Sequence, residues 1–406
     1  MTIFMYIFKF SVRVLYAIFR LFPSKENKVT FLSRQSDFPP IDFKLIEEEL
    51  LKQQNGGVLK QQKKLKIVYI CKRLDQGLVS VVRYILAVMK SMYHVATSKV
   101  CLLDSYWPAI SVLKNTRGLK VIQIWHAMGK IKKSGYQSLD KAHGRNRKVA
   151  QIMGMHKNYD LIIAGGKAWN PFYCGSFNTS EENLYNVGLP RIDYLLKQGD
   201  QIKKRVFTQY PQLSEKPVVL YAPTFRKSTS KKWQELIQKI DLNRFNLIVK
   251  GHPNQELVCE REGVFTCEGF TACELLTVCD YLVTDYSAIA VEAAALKRKT
   301  LYYVYDYEAY SRKNGLNIDL FSEMPGLVFK RARELVLCLE KDEYNMEALL
   351  RYRAKFLPDT IGNSTILIVN KILEYMLPEG PGIPLPAPIE EPAARAEKTA
   401  QFSNKP

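Results

Sequence analysis

Two of the chain's five histidines follow short β-prone runs. His126 lies in Ile-Trp-His-Ala-Met-Gly after Lys120 to Ile124, and His252 lies in Lys-Gly-His-Pro-Asn after Phe245 to Val249. In open α/β sheets, ligands bind outside the carboxyl ends of the strands. An imidazole placed there can take a proton near neutral pH or hydrogen-bond to phosphate. A lone histidine after a strand serves equally well as a structural hydrogen-bonder, so the weight falls on its neighbours. These are basic: Lys130, Lys132 and Lys133 follow His126, and Lys250 stands two residues before His252, on the same side of an extended chain.

Two more segments follow β-prone runs. Tyr221-Ala-Pro-Thr-Phe-Arg offers the Thr224 hydroxyl and the Arg226 guanidinium, both suited to phosphate oxygens. Val283-Thr-Asp-Tyr-Ser-Ala leads into an alanine-rich helix through Leu296. Thr284, Asp285 and Ser287 then stand at a helix start, where free amides and the positive end of the helix dipole favour phosphate. Simple capping by Asp285 or Ser287 fits the same residues. Four such loops together suit a cleft that holds a pyrophosphate. The sequence has no Walker A loop, Gly-x-Gly-x-x-Gly fingerprint, Gly-x-Ser-x-Gly elbow, His-Glu-x-x-His or Asp-x-Asp. No metal site or cofactor is expected.

Positioning these loops requires parallel sheets. Strand-like runs at Lys28 to Leu32, Leu65 to Cys71, Lys99 to Leu103, Lys120 to Ile124 and Leu161 to Ala164 form a first set. Val218 to Tyr221, Asn246 to Val249, Tyr281 to Val283, Thr300 to Val304 and Gly326 to Phe329 form a second. Amphipathic stretches such as Ile41 to Gln53 and Lys232 to Ile240 lie between them, which is the βαβ pattern of parallel sheets. A chain of 406 residues also exceeds what one core usually organises. The expectation is an α/β protein of two doubly wound, Rossmann-type domains facing a cleft, 24–190 and 191–377.

The formal net charge of +19 calls for an anionic partner. Without an RNA-binding aromatic motif, helix-turn-helix or zinc-finger spacing, nucleic acid is the weakest choice. A basic collar runs from Lys130 to Lys148. The eight cysteines form no Cys-x-x-Cys pair and read as reduced thiols. Residues 1–23 read as an amphipathic helix on a membrane surface. Arg13 and Arg20 fall roughly 40° and 20° around the helix from Lys9, so one basic stripe would meet anionic headgroups. Those charges, and the lack of a small-residue cleavage site, argue against a spanning helix or signal peptide. Residues 378–406, rich in Pro, Ala, Glu and Lys, are expected to be a disordered tail.

Taken in order, Ile124-Trp125-His126 with its downstream Lys-Lys-x-Gly, Tyr221-Ala222-Pro223-Thr224, Gly251-His252-Pro253 and Val283-Thr284-Asp285-Tyr286-Ser287 resemble the CDP-glycerol glycerophosphotransferase family of teichoic acid biosynthesis. Tyr305 to Tyr310 and Glu323-Met324-Pro325-Gly326 extend the likeness. The resemblance implies a GT-B architecture and peripheral binding at the cytoplasmic face of the cell membrane. It also implies transfer of glycerol phosphate, or in some members ribitol phosphate, from a CDP-alditol to a lipid-linked acceptor. His126 and His252 would match the family's two essential histidines. Lys130, Lys132, Lys133, Thr224, Arg226, Lys250, Thr284, Asp285 and Ser287 would bind substrate. Two departures stand out: Ala288 replaces a serine, and Asn314-Gly315 stands where many members have Arg-Gly. A GT-B glycosyltransferase using a sugar nucleotide, or a non-catalytic module that binds anionic polymer, are the other readings.

Overall fold

The computed structural model describes residues 2–60, 62–74, 77–114, 116, 118–141, 144–224, 226, 232–251, 257, 259–377 and 382–385. Two six-stranded sheets, parallel throughout, carry the chain. The first holds β1 (Lys25–Ser33), β2 (Lys66–Cys71), β3 (Ser98–Leu103), β4 (Lys120–Gln123), β5 (Leu161–Ala164) and β6 (Leu184–Asn186), in the order β2-β1-β3-β4-β5-β6. The second holds β7 (Val218–Tyr221), β8 (Asn246–Val249), β9 (Val264–Phe265), β10 (Tyr281–Thr284), β11 (Lys299–Tyr303) and β12 (Val328–Phe329), in the order β12-β11-β10-β7-β8-β9.

Strand order places the crevices. In the second sheet it reverses between β7 and β10, so the loops bearing Thr224 and Asp285 flank a topological switch point. In the first it reverses between β1 and β3, and the loop after β4 packs beside that point. The central strands β5, β7, β8 and β10 are buried along their whole length, as apolar runs covered by helices on both faces require. Two strands went unforeseen, β6 and β9. They are three and two residues long, too short to carry a period.

Between the sheets runs the helix Pro190–Gln209, and its first turn is a junction. The Arg191 guanidinium pairs with Asp42 on the helix Ile41–Gly56 and, at 3.4 Å, with Glu292 on the helix Ile289–Ala295 that follows β10. Asp193, two residues on, accepts from the backbone amides of Ser364 (3.1 Å) and Thr365 (2.7 Å) at the start of the helix Ser364–Met376. That last helix crosses back to pack on Ile41–Gly56 and β3 in the first half. Of the expected disordered tail, 382–385 are described, with Ile383 paired to the Asn370 side chain through both backbone groups; the rest lies outside the described residues.

The N-terminal helix Thr2–Phe19 turns two of the three expected stripe charges the other way from the expectation, and Arg20, just past its end, stays exposed. Lys9 donates to the Ile152 carbonyl and Arg13 to the Val112 carbonyl, each at 2.7 Å. Both carbonyls end helices, where cations are favoured. Val12 and Tyr16 are buried beside them, while Phe4, Ile7, Phe10 and Ile18 point out to solvent. The apolar face is the outer one. It continues onto Leu78, Val82 and Leu86 of the neighbouring helix Leu78–Ala96. That second helix is long and apolar enough to cross a membrane by length and composition, but its inner face packs on the first sheet.

Arg191→Ala would leave Asp42 and Glu292 buried without their cation. A loss of about 3–5 kcal/mol is expected, read as a lower urea midpoint than wild type.

Candidate active site

The loop after β4 begins with an uncommon turn. Trp125 sits in the left-handed region at φ 58°, which costs a residue bearing a Cβ some strain. Its amide is held by the Gln123 side chain at 2.9 Å, and its ring lies 4.3 Å from the His126 ring and 5.1 Å from Phe177. The turn presents His126 beside the first switch point, where Nδ1 lies 3.1 Å from the Asp104 carbonyl after β3 and 3.3 Å from the Gln35 side chain after β1. A carbonyl only accepts, so it places the proton on Nδ1 and leaves Nε2 with a lone pair. The ring keeps an open face to solvent. The protein crowding its other sides lowers its pKa below the ordinary histidine value, and Lys130, Arg191 and Lys132 add to that. The His126 imidazole is therefore neutral near pH 7, with Nε2 able to accept a proton.

The three lysines after His126 diverge. Lys130 is buried in an aromatic cage, with Nζ 4.2 Å from the Phe177 centroid, 4.4 Å from Trp125 and 4.9 Å from Tyr173. Burial lowers its pKa to about 7. Its position braces the loop and does not face the second sheet. Lys132 does: it is close enough to Asp285 and Arg226 for both to act on its charge, and it pairs in a β-bridge with Leu316. Lys133 is exposed, and its amide donates to the Gly315 carbonyl at 3.1 Å. Asn317 fastens this crossing by donating to the Lys130 carbonyl at 2.7 Å.

Across the cleft, the switch point of the second sheet is knitted internally. Asp285, 2% exposed, accepts from the backbone amides of Thr224 (2.9 Å) and Tyr286 (2.6 Å) and pairs with Arg226. The Arg226 guanidinium grips Asp306 through Nε (2.8 Å) and Nη2 (3.0 Å). It thus binds two carboxylates, in place of the expected free phosphate contact. Thr284 donates to the Ala222 carbonyl at 2.6 Å. Asp306 also accepts from Tyr286, whose ring stacks on Tyr310 at 3.9 Å. Neither Asp285 nor Ser287 caps the following helix; Ala288 stands at its start without a side-chain cap. Lys250 donates to the Thr266 and Cys267 carbonyls, both at 3.1 Å, and so braces the end of β9.

One group in this network is left over. The Thr224 hydroxyl is buried and has no hydrogen-bond partner among the described residues. An unpaired buried hydroxyl costs free energy. The hydroxyl is thus left able to hydrogen-bond to a ligand oxygen. His252 lies outside the described residues, as do residues 142–143 of the basic collar. Among the described residues no cluster of three His, Cys, Asp or Glu side chains could hold a metal ion. Asp306, Asn317 and the Asp42–Arg191–Glu292 group were not anticipated as parts of the site. Each acts through partners distant in sequence, and only the neighbourhood of Asp306, in Tyr-Asp-Tyr, carried a local signal.

Comparison with known proteins gives this geometry a setting. Residues 14–374 match the family described as CDP-glycerol:poly(glycerophosphate) glycerophosphotransferase. The chain is 28% identical over 88% of its length to a teichoic acid poly(ribitol-phosphate) polymerase of Bacillus spizizenii, of which the match spans 58%. It is also 28% identical to a teichoic acid ribitol-phosphate primase of the same organism, spanning 88% of this chain and 93% of that one. Identity to a teichoic acid glycerol-phosphate primase of Bacillus subtilis is 25%, over 88% and 94%. Among solved structures, the wall teichoic acid polymerase TagF superposes with a TM-score of 0.69 at 16% identity, covering 90% of this chain and 93% of that one. The fold is GT-B-like.

Thr224→Val removes a hydroxyl that has no partner within the protein. The melting temperature is expected to hold or rise, while affinity for a nucleoside diphosphate falls about tenfold, the loss of one hydrogen bond of about 1.4 kcal/mol. Equal affinity in calorimetric titration would remove Thr224 from the site.

Proposed function

The chain belongs to the CDP-glycerol:poly(glycerophosphate) glycerophosphotransferase family, the CDP-alditol phosphotransferases of teichoic acid synthesis, and on that premise we propose that it transfers glycerol phosphate from CDP-glycerol to a hydroxyl of a lipid-linked acceptor, releasing CMP. One observation carries the reading. The loop that presents His126 as a neutral base also extends Lys132 to the Asp285–Arg226 network of the opposite sheet. Acid–base and oxyanion chemistry therefore meet in one cleft.

In this mechanism the acceptor oxygen attacks the phosphorus that bears the alditol. Its proton passes to His126 Nε2, the new P–O bond forms, and the bond to the CMP oxygen breaks. Lys132, Thr224, Ser287 and the amides at the helix start hold the pyrophosphate as charge moves onto the leaving group. Arg226 and Thr284 fix Asp285, which shapes the loop. His252 is assigned to the departing CMP, with Lys250 steadying the strand end before it. No covalent intermediate and no cofactor are invoked. CDP-ribitol is the second reading for the donor, because the two relatives at 28% identity carry ribitol phosphate in their names.

We place the protein on the cytoplasmic face of the membrane through the outward apolar surface of Phe4, Ile7, Phe10 and Leu86. Such a face sits at the headgroup–acyl boundary by burying apolar area. The double variant Phe4→Glu/Phe10→Glu is expected to lose co-sedimentation with phosphatidylglycerol vesicles; undiminished binding would remove this anchor.

His126→Ala should lower kcat by about 10²–10⁴-fold with the melting temperature unchanged. A lowered histidine pKa leaves the base form dominant above that value and loses it only as pH falls through it. The acid limb of kcat/KM should therefore lie below pH 6.5, and a limb at or above it would contradict His126 as the base. CMP release from CDP-glycerol and from CDP-ribitol, with a prenyl diphosphate disaccharide as acceptor, decides the donor. Turnover of neither, alongside turnover of a UDP-sugar, would make the protein a glycosyltransferase.

A further inference from the structure

Beside Trp125 lies a cavity of about 220 Å³ whose charged lining is all of one sign. Arg34, Lys133, Lys141, Arg145 and Lys313 line it, and no carboxylate does. Among the described residues none of these five cations forms an ion pair. Arg34 is half-buried and Lys133, Lys141, Arg145 and Lys313 are exposed, so these cations gather around the mouth of one concavity. Here the Arg145 guanidinium lies 4.7 Å from the Tyr106 ring centroid, a contact that orients it without neutralising it. Burial holds the neighbouring His156 neutral, and the charges of Lys130, Arg145 and Arg34 push the same way. Five like charges around one concavity repel each other, and an anion relieves them.

Both halves of the chain build the cavity. Arg34 follows β1, Tyr106 follows β3 and Trp125 follows β4, while Lys313 and Asn314 come from the end of the helix Tyr307–Lys313. The Lys133–Gly315 hydrogen bond and the Lys132–Leu316 bridge stitch that helix end to the rim. Ser134 and Ser138 add hydroxyls. The position is as informative as the charge. Tyr310 of the helix stacks on Tyr286 in the loop after β10, and Lys313 reaches the cavity one turn later, about 5 Å along the axis. Trp125 forms the cavity's wall and also touches His126. The cavity is thus next to the base and one helical turn from the donor loop.

We propose that this cavity is a second phosphate site, which holds a phosphate ester of the acceptor while the donor pyrophosphate occupies the loop after β10. The assignment of its occupant rests on the function proposed above; the phosphate binding itself does not. An acceptor that already bears an alditol phosphate presents such an ester close to its terminal hydroxyl. Seating that ester beside Trp125 leaves the hydroxyl directed to His126. The site would then favour acceptors already carrying an alditol phosphate over bare sugars.

The test uses the full chain, with sn-glycerol 3-phosphate as probe, titrated in the presence of saturating CDP so that the donor loop is filled. Wild type should bind the probe, and Arg145→Gln/Lys313→Gln should weaken it at least tenfold while the affinity for CDP is unchanged. Both side chains are exposed, and an unaltered melting temperature confirms that the variant folds. Equal probe affinity in the two proteins overturns the proposal. So does a variant that binds the probe normally but loses phosphatidylglycerol vesicles, since the cations would then serve lipid headgroups. Failure of CDP to bind, with probe binding still sensitive to the double variant, would overturn the donor reading and support the phosphate site. In turnover, the double variant should raise KM for an acceptor bearing glycerol phosphate more than KM for the bare lipid-linked disaccharide.

Discussion

The buried contact of Arg191 with Asp42 and Glu292 sets the geometry on which the cleft depends. Asp42 belongs to a helix of the first sheet, Arg191 opens the helix between the sheets, and Glu292 lies on the helix that follows the loop carrying Asp285. A buried pair of this kind gains little stability over an apolar substitute. Its value here is directional. A bidentate guanidinium donates to its partners in one plane and at one spacing, so the helix behind the loop after β10 stays in register with the first sheet. The Cys273 thiol donates to the second Glu292 oxygen at 2.9 Å, leaving that carboxylate little freedom.

The two walls of the cleft are built on opposite electrostatic plans. Around Asp285 every charge is answered: Arg226 by two carboxylates, Asp285 by two amides and a guanidinium. That wall is pre-organised, and its loops hold their shape before any ligand arrives. The wall around Trp125 and Arg145 is unanswered, with positive charge gathered on both sides of one cavity. A rigid frame whose charges are paired internally suits a small, chemically defined donor. An uncompensated basic concavity suits a large acceptor recognised through its phosphates. The inward-facing lysine cage at Lys130 stands between the two plans, a cation balanced by ring faces in place of an anion.

Much of this was legible in the sequence because it is local. Strand runs such as Leu161–Ala164 and Val218–Tyr221 are apolar throughout and coincide with the observed strands residue for residue. The strand-to-loop positions of His126, Thr224 and Asp285 follow from the same pattern, and the GT-B-like pairing of the sheets is borne out. What was not legible depends on partners far apart in the chain. Arg226 was read as a phosphate ligand on its own chemistry, and Asp285 as a cap within a loop that the family resemblance implies binds pyrophosphate, yet the fold pairs the two with each other. Lys130, Lys132 and Lys133 look equivalent in sequence and part ways in space: alternation along an extended segment separates Lys132 from Lys133, and Lys130 is drawn into a cage of Trp125, Tyr173 and Phe177, two of them from a helix distant in sequence. Of the stripe of Lys9, Arg13 and Arg20, the first two share an inward face, while Arg20, just past the helix end, is exposed. The direction of that face depended on the helix ends at Val112 and Ile152, which no periodicity could announce.

That inversion of the first helix has a practical consequence. Attachment by a basic stripe is Coulombic, and salt screens it. Attachment by Phe4, Ile7 and Phe10 with the cations turned inward is hydrophobic, and salting-out ions such as sulfate reinforce it. A protein held in the way proposed would stay with a bilayer through a high-salt wash and come away in mild detergent. Once freed, it carries an uncovered greasy face that drives its copies together unless the detergent remains.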